Sequence, residues 1–216
     1  MRSDPSQLFL PGFGARARAY AEGLPLGWEA AQPPPPSVTR GSLTSLRAWA
    51  VAEIQRRPAG VLVAGHSMGA ALAVLAAVKV PEHVGGLLLI APAGLPLRKP
   101  IRHSVADFAR QLAVRTFAIQ DVVGGAKELV AAPRAAGRLV RTLRRLDLSS
   151  QMGRVRAVGI PTLVVGCTTD TLVTPEQCRA SARLLGAEYR ELAICGGHVW
   201  MFRQPSLLAT LLRGDD

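Results

Sequence analysis

Residues 61–74 have the sequence VLVAGHSMGAALAV, and this stretch decides the fold. Its first part, Val61-Leu62-Val63, is typical of a buried strand, and its last part, from Ala70, is typical of an apolar helix. Between them stands Gly65-His66-Ser67-Met68-Gly69, a G-x-S-x-G pattern that belongs to a sharp strand-to-helix turn. Such a turn crowds the positions two before and two after the serine, which favours glycine at both. We therefore predict that the turn presents Ser67 as a nucleophile.

Outward from this turn, short β-rich runs alternate with helical patterns. Strands are predicted at residues 8–10, 60–64, 86–90 and 162–165, with a strand-like run at 191–195. Helices are predicted at residues 42–57 and 70–80, and from Pro175, where Thr174 and Gln177 can form a capping box. This alternation predicts an α/β fold with a mostly parallel sheet flanked by helices. The prolines at 33–36 predict a stiff surface connection.

Composition excludes several classes of protein. The 216 residues are 49% hydrophobic and 19% charged, which excludes disorder and indicates a filled core. Aromatic residues are 5% of the chain and no base-reading motif is present, so we expect no nucleic-acid partner. The three cysteines form no C-x-x-C pair, so we expect no metal site. The apolar stretch at 59–78 is interrupted by the glycine turn, so we expect no transmembrane segment and a cytoplasmic protein.

The positive charge is concentrated in one segment. The chain has 26 Lys and Arg against 15 Asp and Glu, a net charge of +11, and 13 of those cations but only four of the acids lie between residues 98 and 156. A charge of this size favours anionic partners. We predict a core formed by residues 1–97 and 157–216, with residues 98–156 inserted as a basic helical lid.

A helix predicted after Pro133 has two contrasting sides. Its apolar residues cluster on one side, which we expect to face the site: Ala136, Leu139, Val140, Leu143 and Leu146. Four arginines cluster opposite: Arg134, Arg138, Arg141 and Arg145. These arginines are either a solvated face or a docking face for an anionic partner, such as an acidic carrier protein.

A nucleophilic serine needs a base and a group that orients the base. His198 follows the run at 191–195 and the flexible pair Gly196-Gly197, which places its imidazole on a loop that can reach the turn. Asp170 lies just past the strand at 162–165 and is the candidate orienting group. For the other histidines, at positions 66, 83 and 103, we expect structural or surface roles.

The segments around these residues resemble the α/β-hydrolases that carry a lid, a superfamily that includes many serine esterases. The resemblance is carried by LFLPGFG, VLVAGHSMGAAL, LLLIAPAG, VVGCTTDTLVTPEQ and GGHVWMFRQP. It implies that Ser67 is the nucleophile, that His198 is the general base and then the acid, and that Asp170 orients it. It also implies an oxyanion hole formed by the backbone N–H groups of Phe13 and Met68. Met68 is expected on physical grounds too, because the first turn of a helix has unpaired N–H donors.

The chain departs from this superfamily at two places. Members commonly have His-Gly where this chain has Pro11-Gly12, but backbone donors form the hole, so we expect it to persist. Members also usually have two further strands before the one at Leu8, where this chain has residues 1–7 alone. We therefore expect a sheet trimmed at its N-terminal side, whose edge needs a covering segment or a second copy in a homo-oligomer.

The expected function is that of a serine hydrolase without a cofactor, which cleaves an ester or thioester of an apolar acyl group. Two alternatives stay open at this point. The same triad could cleave a C–C bond or perform a cyclisation. Alternatively, the hydrolase-like fold could serve as a ligand receptor or polyanion-binding module without turnover.

Overall fold

A computed structural model describes residues 7–97, 127 and 130–215, and within them a parallel sheet forms the centre of the molecule. Its strands are β1 (Gln7–Leu10), β2 (Trp28–Ala30), β3 (Val61–His66), β4 (Val84–Ile90), β5 (Thr162–Cys167) and β6 (Glu188–Leu192). They are arranged in the order β2-β1-β3-β4-β5-β6, and every neighbouring pair is parallel. The predicted α/β fold with a parallel sheet is confirmed.

Helices connect the strands. Those whose bounds lie within the described residues are α1 (Pro36–Thr39), α2 (Leu43–Gln55), α3 (Met68–Ala77), α4 (Pro133–Arg145), α5 (Ser149–Val158), α6 (Pro175–Leu185) and α7 (Pro205–Arg213). Short 3-10 helices occur at Ala17–Gly23, Pro81–His83 and Gly197–Phe202. The predicted capping box of α6 is confirmed, with the Thr174 N–H donating to the side-chain oxygen of Gln177. The structure adds a cap at the start of α2, where the Ser45 N–H donates to the Ser42 hydroxyl.

Alternate residues of each strand point into two separate cores. Leu8, Leu10 and Leu89 lie in a cluster with α2, α3, α5 and α6, whereas Phe9 and Ile90 lie in a second cluster with α7 and the 3-10 helix Gly197–Phe202. Because helices cover both faces, the central strands can be hydrophobic at every position. This explains why β1, β3, β4 and β5 appear in the sequence as continuous apolar runs.

Two strands differ from the sequence prediction. The last strand, β6, spans Glu188–Leu192 and not residues 191–195, because its polar, partly exposed residues at the sheet edge carry no hydrophobic signal. Strand β2 is missing from the sequence prediction because its three residues are too few to form a recognisable hydrophobic run. It pairs with β1 on the side where the sheet was expected to be open, so this short strand forms the edge.

Much of the predicted lid lies outside the described residues, namely 98–126, 128 and 129, and its boundaries stay a prediction. The helix predicted after Pro133 is confirmed as α4, with Pro133 at its first position. The following helix α5 packs against α3 and α6 and buries Met152 and Val155 in the first core. All ten residues of α3 are buried, and no helix in the described ranges is long and apolar enough to cross a membrane.

The turn between β3 and α3 depends on close approach of backbone at two glycines. A Cβ atom on Gly65 would lie 2.6 Å from the backbone of Gly69, and a Cβ atom on Gly69 would overlap the carbonyl oxygen of Leu10 in β1. The first turn of α3 therefore packs directly against the end of β1. The predicted crowding around the serine is present on both sides.

Replacing Gly69 by Ala is expected to lower the free energy of unfolding by about 2 kcal/mol or more, because neither α3 nor β1 can yield without moving backbone. The matched control is Gly153→Ala in α5, where an added Cβ meets open space. That control should raise stability by about 0.5–1 kcal/mol, since alanine is the better helix former. Urea unfolding of both variants measures the difference. Equal stability of the two variants would contradict the packing described here.

Candidate active site

The candidate site lies where parallel strands end. Ser67 follows β3, Asp170 follows β5, His198 follows β6, and Phe13 follows β1. Because the strands are parallel, their carboxyl ends meet at one edge of the sheet, and ligands of open α/β sheets bind outside these ends. Phe13 and His198, which are 185 positions apart in the chain, are thus brought to the same edge.

Ser67 occupies a strained backbone conformation, with φ 54° and ψ −112°. A positive φ is uncommon for a residue other than glycine and persists only where the surroundings enforce it. Here the Ser67 N–H donates to the carbonyl oxygen of Ile90, and the Ser67 carbonyl accepts from the N–H groups of Ala71 and Ala93. Its side chain stays partly exposed while His66 and Met68 on either side are buried. The turn therefore presents the hydroxyl at the sheet edge.

Asp170 and His198 form a buried pair. Nδ1 of His198 lies 2.8 Å from Oδ2 of Asp170, and the side chains are 2% and 0% exposed. The other carboxylate oxygen, Oδ1, accepts from the backbone N–H groups of Leu172 and Val173 at 2.8 and 3.0 Å. Because a carboxylate only accepts, Nδ1 of His198 donates, and the neutral ring then keeps its lone pair at Nε2. This is the tautomer that a general base requires.

The segment that carries His198 is held against the serine turn. The His66 and His198 rings are 4.7 Å apart between centroids, and Nε2 of His66 lies 2.9 Å from the His198 carbonyl oxygen. His66 directly precedes Ser67, so these contacts bring His198 to the turn. His198 is buried within the 3-10 helix Gly197–Phe202, and the expectation that it lies on a loop is corrected.

Thr169 is a further residue of the site that the sequence analysis did not identify. Its hydroxyl donates to the carbonyl oxygen of Ile194 at 2.9 Å and accepts from the N–H of Gly197 at 3.1 Å. The backbone between these two contacts turns sharply at Gly196 and Gly197, whose φ angles are 133° and 57°. Thr169 directly precedes Asp170, so one short segment fixes both the carboxylate and the chain that carries the imidazole.

The backbone that carries each candidate oxyanion donor adjoins the serine turn. Met68 is the first residue of α3, where the N–H lacks an acceptor within the helix. Phe13 follows Gly12, whose backbone lies against the turn: a Cβ on Gly12 would be 2.9 Å from Nδ1 of His66 and 3.5 Å from Cβ of Ser67. Replacement of the usual His-Gly by Pro11-Gly12 thus leaves this segment in contact with the serine turn.

A narrow cleft adjoins the two donors. As bounded by the described residues, the cleft has a volume of about 30 Å³, which is room for about two water molecules. Phe13 and Met68 line it together with Leu46, Leu139 of α4 and the prolines at 33–36. The expectation that these prolines form a surface connection is wrong, because Pro33 and Pro36 are buried. Their rigid rings form one wall of the cleft.

The arginines of α4 lie on its outer side. Arg134, Arg138, Arg141 and Arg145 are all exposed, whereas Ala136 and Leu139 on the opposite side are buried. Among the described residues, none of these four arginines takes part in an ion pair with a carboxylate. Arg138 donates instead to the carbonyl oxygen of Arg40 at 3.4 Å. Also within the described ranges, no three His, Cys, Asp or Glu side chains are grouped so that they could hold a metal ion.

The chain belongs to the alpha/beta hydrolase family, which its sequence matches over residues 8–211. No curated protein matches it by sequence. Among solved structures, it is similar to a lipase-esterase related protein from Clostridium acetobutylicum ATCC 824, with a TM-score of 0.74 and 12% identity over 99% of this chain and 96% of that one.

Two further solved structures share this fold. The thioesterase domain from the curacin biosynthetic pathway has a TM-score of 0.68 and 19% identity, over 99% of this chain and 92% of that one. Est816, an N-acyl homoserine lactone degrading enzyme, has a TM-score of 0.71 and 17% identity, over 97% and 92%. At these identities the likeness shows the fold.

Proposed function

We propose that the protein is a serine hydrolase that cleaves an ester or thioester through an acyl-enzyme, without a cofactor. The observation that carries the proposal is the buried Asp170–His198 pair, held against the strained turn that presents Ser67. A histidine oriented by a carboxylate beside a partly exposed serine is the arrangement that activates a hydroxyl nucleophile.

The reaction proceeds in two halves. The Ser67 hydroxyl attacks the substrate carbonyl while Nε2 of His198 accepts its proton, and the Phe13 and Met68 N–H groups stabilise the negative oxygen that forms. His198 then protonates the departing alcohol or thiol, which leaves the acyl group on Ser67. A water molecule, deprotonated by His198, attacks this acyl-enzyme and releases the acid, and the proton returns to Ser67. Asp170 keeps the imidazole in the required tautomer throughout.

The apolar lining of the neighbouring cleft supports recognition of the acyl carbons next to the carbonyl, since a volume of about 30 Å³ admits only this small part of an acyl group. The cleft is lined mainly by hydrophobic side chains and prolines, together with Gln32, and it begins at the two residues that would hold the oxyanion. The lipase-esterase related protein and the thioesterase domain with the same fold are consistent with cleavage of esters and thioesters.

Replacing Ser67 by Ala should lower kcat/KM for p-nitrophenyl esters by at least about a thousandfold, because the acyl-enzyme can no longer form. The control is Ser206→Ala, which changes an exposed serine of α7 and should retain wild-type turnover. Circular dichroism checks that both variants are folded. Turnover by Ser67→Ala above a tenth of wild type would contradict the assignment, as would absence of any hydrolysis by the wild type across a series of acyl lengths.

The exposed arginines of α4 support an acidic carrier protein as the partner that delivers the acyl group. Four cations on one side of a helix repel each other unless water solvates them or an anionic surface neutralises them. The opposite side of α4 contributes Leu139 to the cleft, so a carrier docked on the outer side is separated from the cleft by one helix. Charge complementarity of this kind speeds association and weakens as salt shortens the Debye length, from about 10 Å at 0.1 M to about 3 Å at 1 M.

Changing Arg138 and Arg141 together to Glu should lower kcat/KM for an acyl group on an acidic carrier at least about tenfold at low salt. Hydrolysis of a small neutral ester should change little, because it does not contact the outer side of α4. In the charge-matched control, Arg56 and Arg183 are both changed to Glu; these are exposed residues outside α4. An equal loss in the control, or an equal loss for both substrates, would contradict carrier docking on α4, and so would an unchanged rate with the carrier.

A further inference from the structure

A chain of buried hydrogen bonds passes behind the candidate site and includes two side chains that the proposed reaction does not use. The Gly12 N–H donates to the Tyr20 hydroxyl oxygen at 3.2 Å, and this oxygen lies 2.9 Å from Nδ1 of His66. On the other side of the ring, Nε2 of His66 lies 2.9 Å from the His198 carbonyl oxygen. Tyr20 and His66 are only 1% and 3% exposed.

For every hydrogen bond in this series, the chemistry of the two groups decides which one donates and which one accepts. A carbonyl oxygen only accepts, so Nε2 of His66 carries a proton and donates to His198. In a neutral imidazole the other nitrogen then accepts, so the Tyr20 hydroxyl donates to Nδ1. The Tyr20 oxygen in turn accepts from the Gly12 N–H. Each buried polar group therefore has a partner in its proper role, which is the condition for a buried network to be stable.

This chain of hydrogen bonds connects the three parts of the site that must keep their relative positions. Gly12 precedes Phe13, the proposed oxyanion donor; His66 precedes Ser67; and His198 is the proposed base. We propose that Tyr20 and His66 are positioning residues, which hold the oxyanion segment and the histidine segment in register with the nucleophile. The inference rests on the proposed function, and it adds two residues that act through others and do not touch the substrate.

Electrostatics support a neutral His66 in this role. Burial, and then the nearby His198, lower the pKa of His66 well below its usual value. Burial also raises the pKa of the Tyr20 hydroxyl, so the hydroxyl keeps the proton that it donates. Among the described residues, the titratable groups that face the His66 ring are Tyr20 and His198, the latter paired with Asp170. A neutral His66 adds no repulsion when His198 becomes positive during the reaction.

The most direct test is Tyr20→Phe, which removes the hydroxyl and keeps the ring. The ring packs against Phe9 and Phe202 at centroid distances of 4.6 and 4.9 Å, and phenylalanine retains these contacts. We expect kcat to fall about tenfold or more while KM stays within about twofold, because misplacement of reacting groups slows the chemical step. The rate at which a fluorophosphonate labels the protein should fall by a similar factor.

Leu211→Ala is the matched control, since it truncates a buried side chain of the same core cluster and leaves the hydrogen-bond chain intact. Both variants are assayed well below their unfolding temperatures. Tyr20→Phe with kcat and labelling rate within about twofold of wild type would overturn the inference, and so would an equal loss of kcat in Leu211→Ala. A wild-type protein that is never labelled would contradict the proposed function itself, which separates the two failures.

A second pair of variants tests the same inference at His66 if Tyr20→Phe does not fold. Glutamine at position 66 still offers an N–H donor and an oxygen acceptor, whereas leucine offers neither. We expect His66→Gln to retain several-fold more kcat than His66→Leu, with each rate normalised to folded protein. An equal loss of kcat in the two variants would overturn the positioning role.

Discussion

The first turn of α3 packs directly on the end of β1, with Gly69 against the carbonyl of Leu10, and the rest of the site depends on this contact. It fixes the distance between the segment that carries Phe13 and the turn that carries Ser67. The same turn is tied to β4, through the bond from the Ser67 N–H to the Ile90 carbonyl. Strain at Ser67 is therefore maintained by backbone contacts on two neighbouring strands.

Around this fixed turn, the hydrogen bonds of buried polar groups hold the other side chains of the site in place. The Asp170 carboxylate is tolerated inside the protein because two backbone N–H groups and the His198 imidazole satisfy it. The His66 imidazole is tolerated because Tyr20 and the His198 carbonyl satisfy both of its nitrogens. Each buried group has one arrangement in which all its bonds are made, so the network selects one geometry for the proposed catalytic groups.

The sequence was most informative where local pattern and three-dimensional contact coincide. The G-x-S-x-G pattern predicted the turn because the crowding is caused by residues two positions away, and Thr174 with Gln177 predicted a helix start for the same local reason. Asp170 and His198 could be identified as candidates because each follows a strand whose end lies at a shared sheet edge. Tyr20 and Thr169 could not, since their partners are distant in sequence or are backbone atoms. The short strand β2 and the polar edge strand β6 lacked the hydrophobic pattern on which strand prediction relies, and the burial of Pro33 and Pro36 depends on their packing around the cleft.

The central claim, that Ser67 is the nucleophile of a hydrolase, is tested most directly by mass spectrometry of the wild-type protein after reaction with a fluorophosphonate. We expect one adduct per chain, located by peptide mapping on Ser67, and loss of ester hydrolysis in proportion to the labelled fraction. An unlabelled protein, or an adduct on another residue that abolishes hydrolysis while Ser67 stays unmodified, would contradict it.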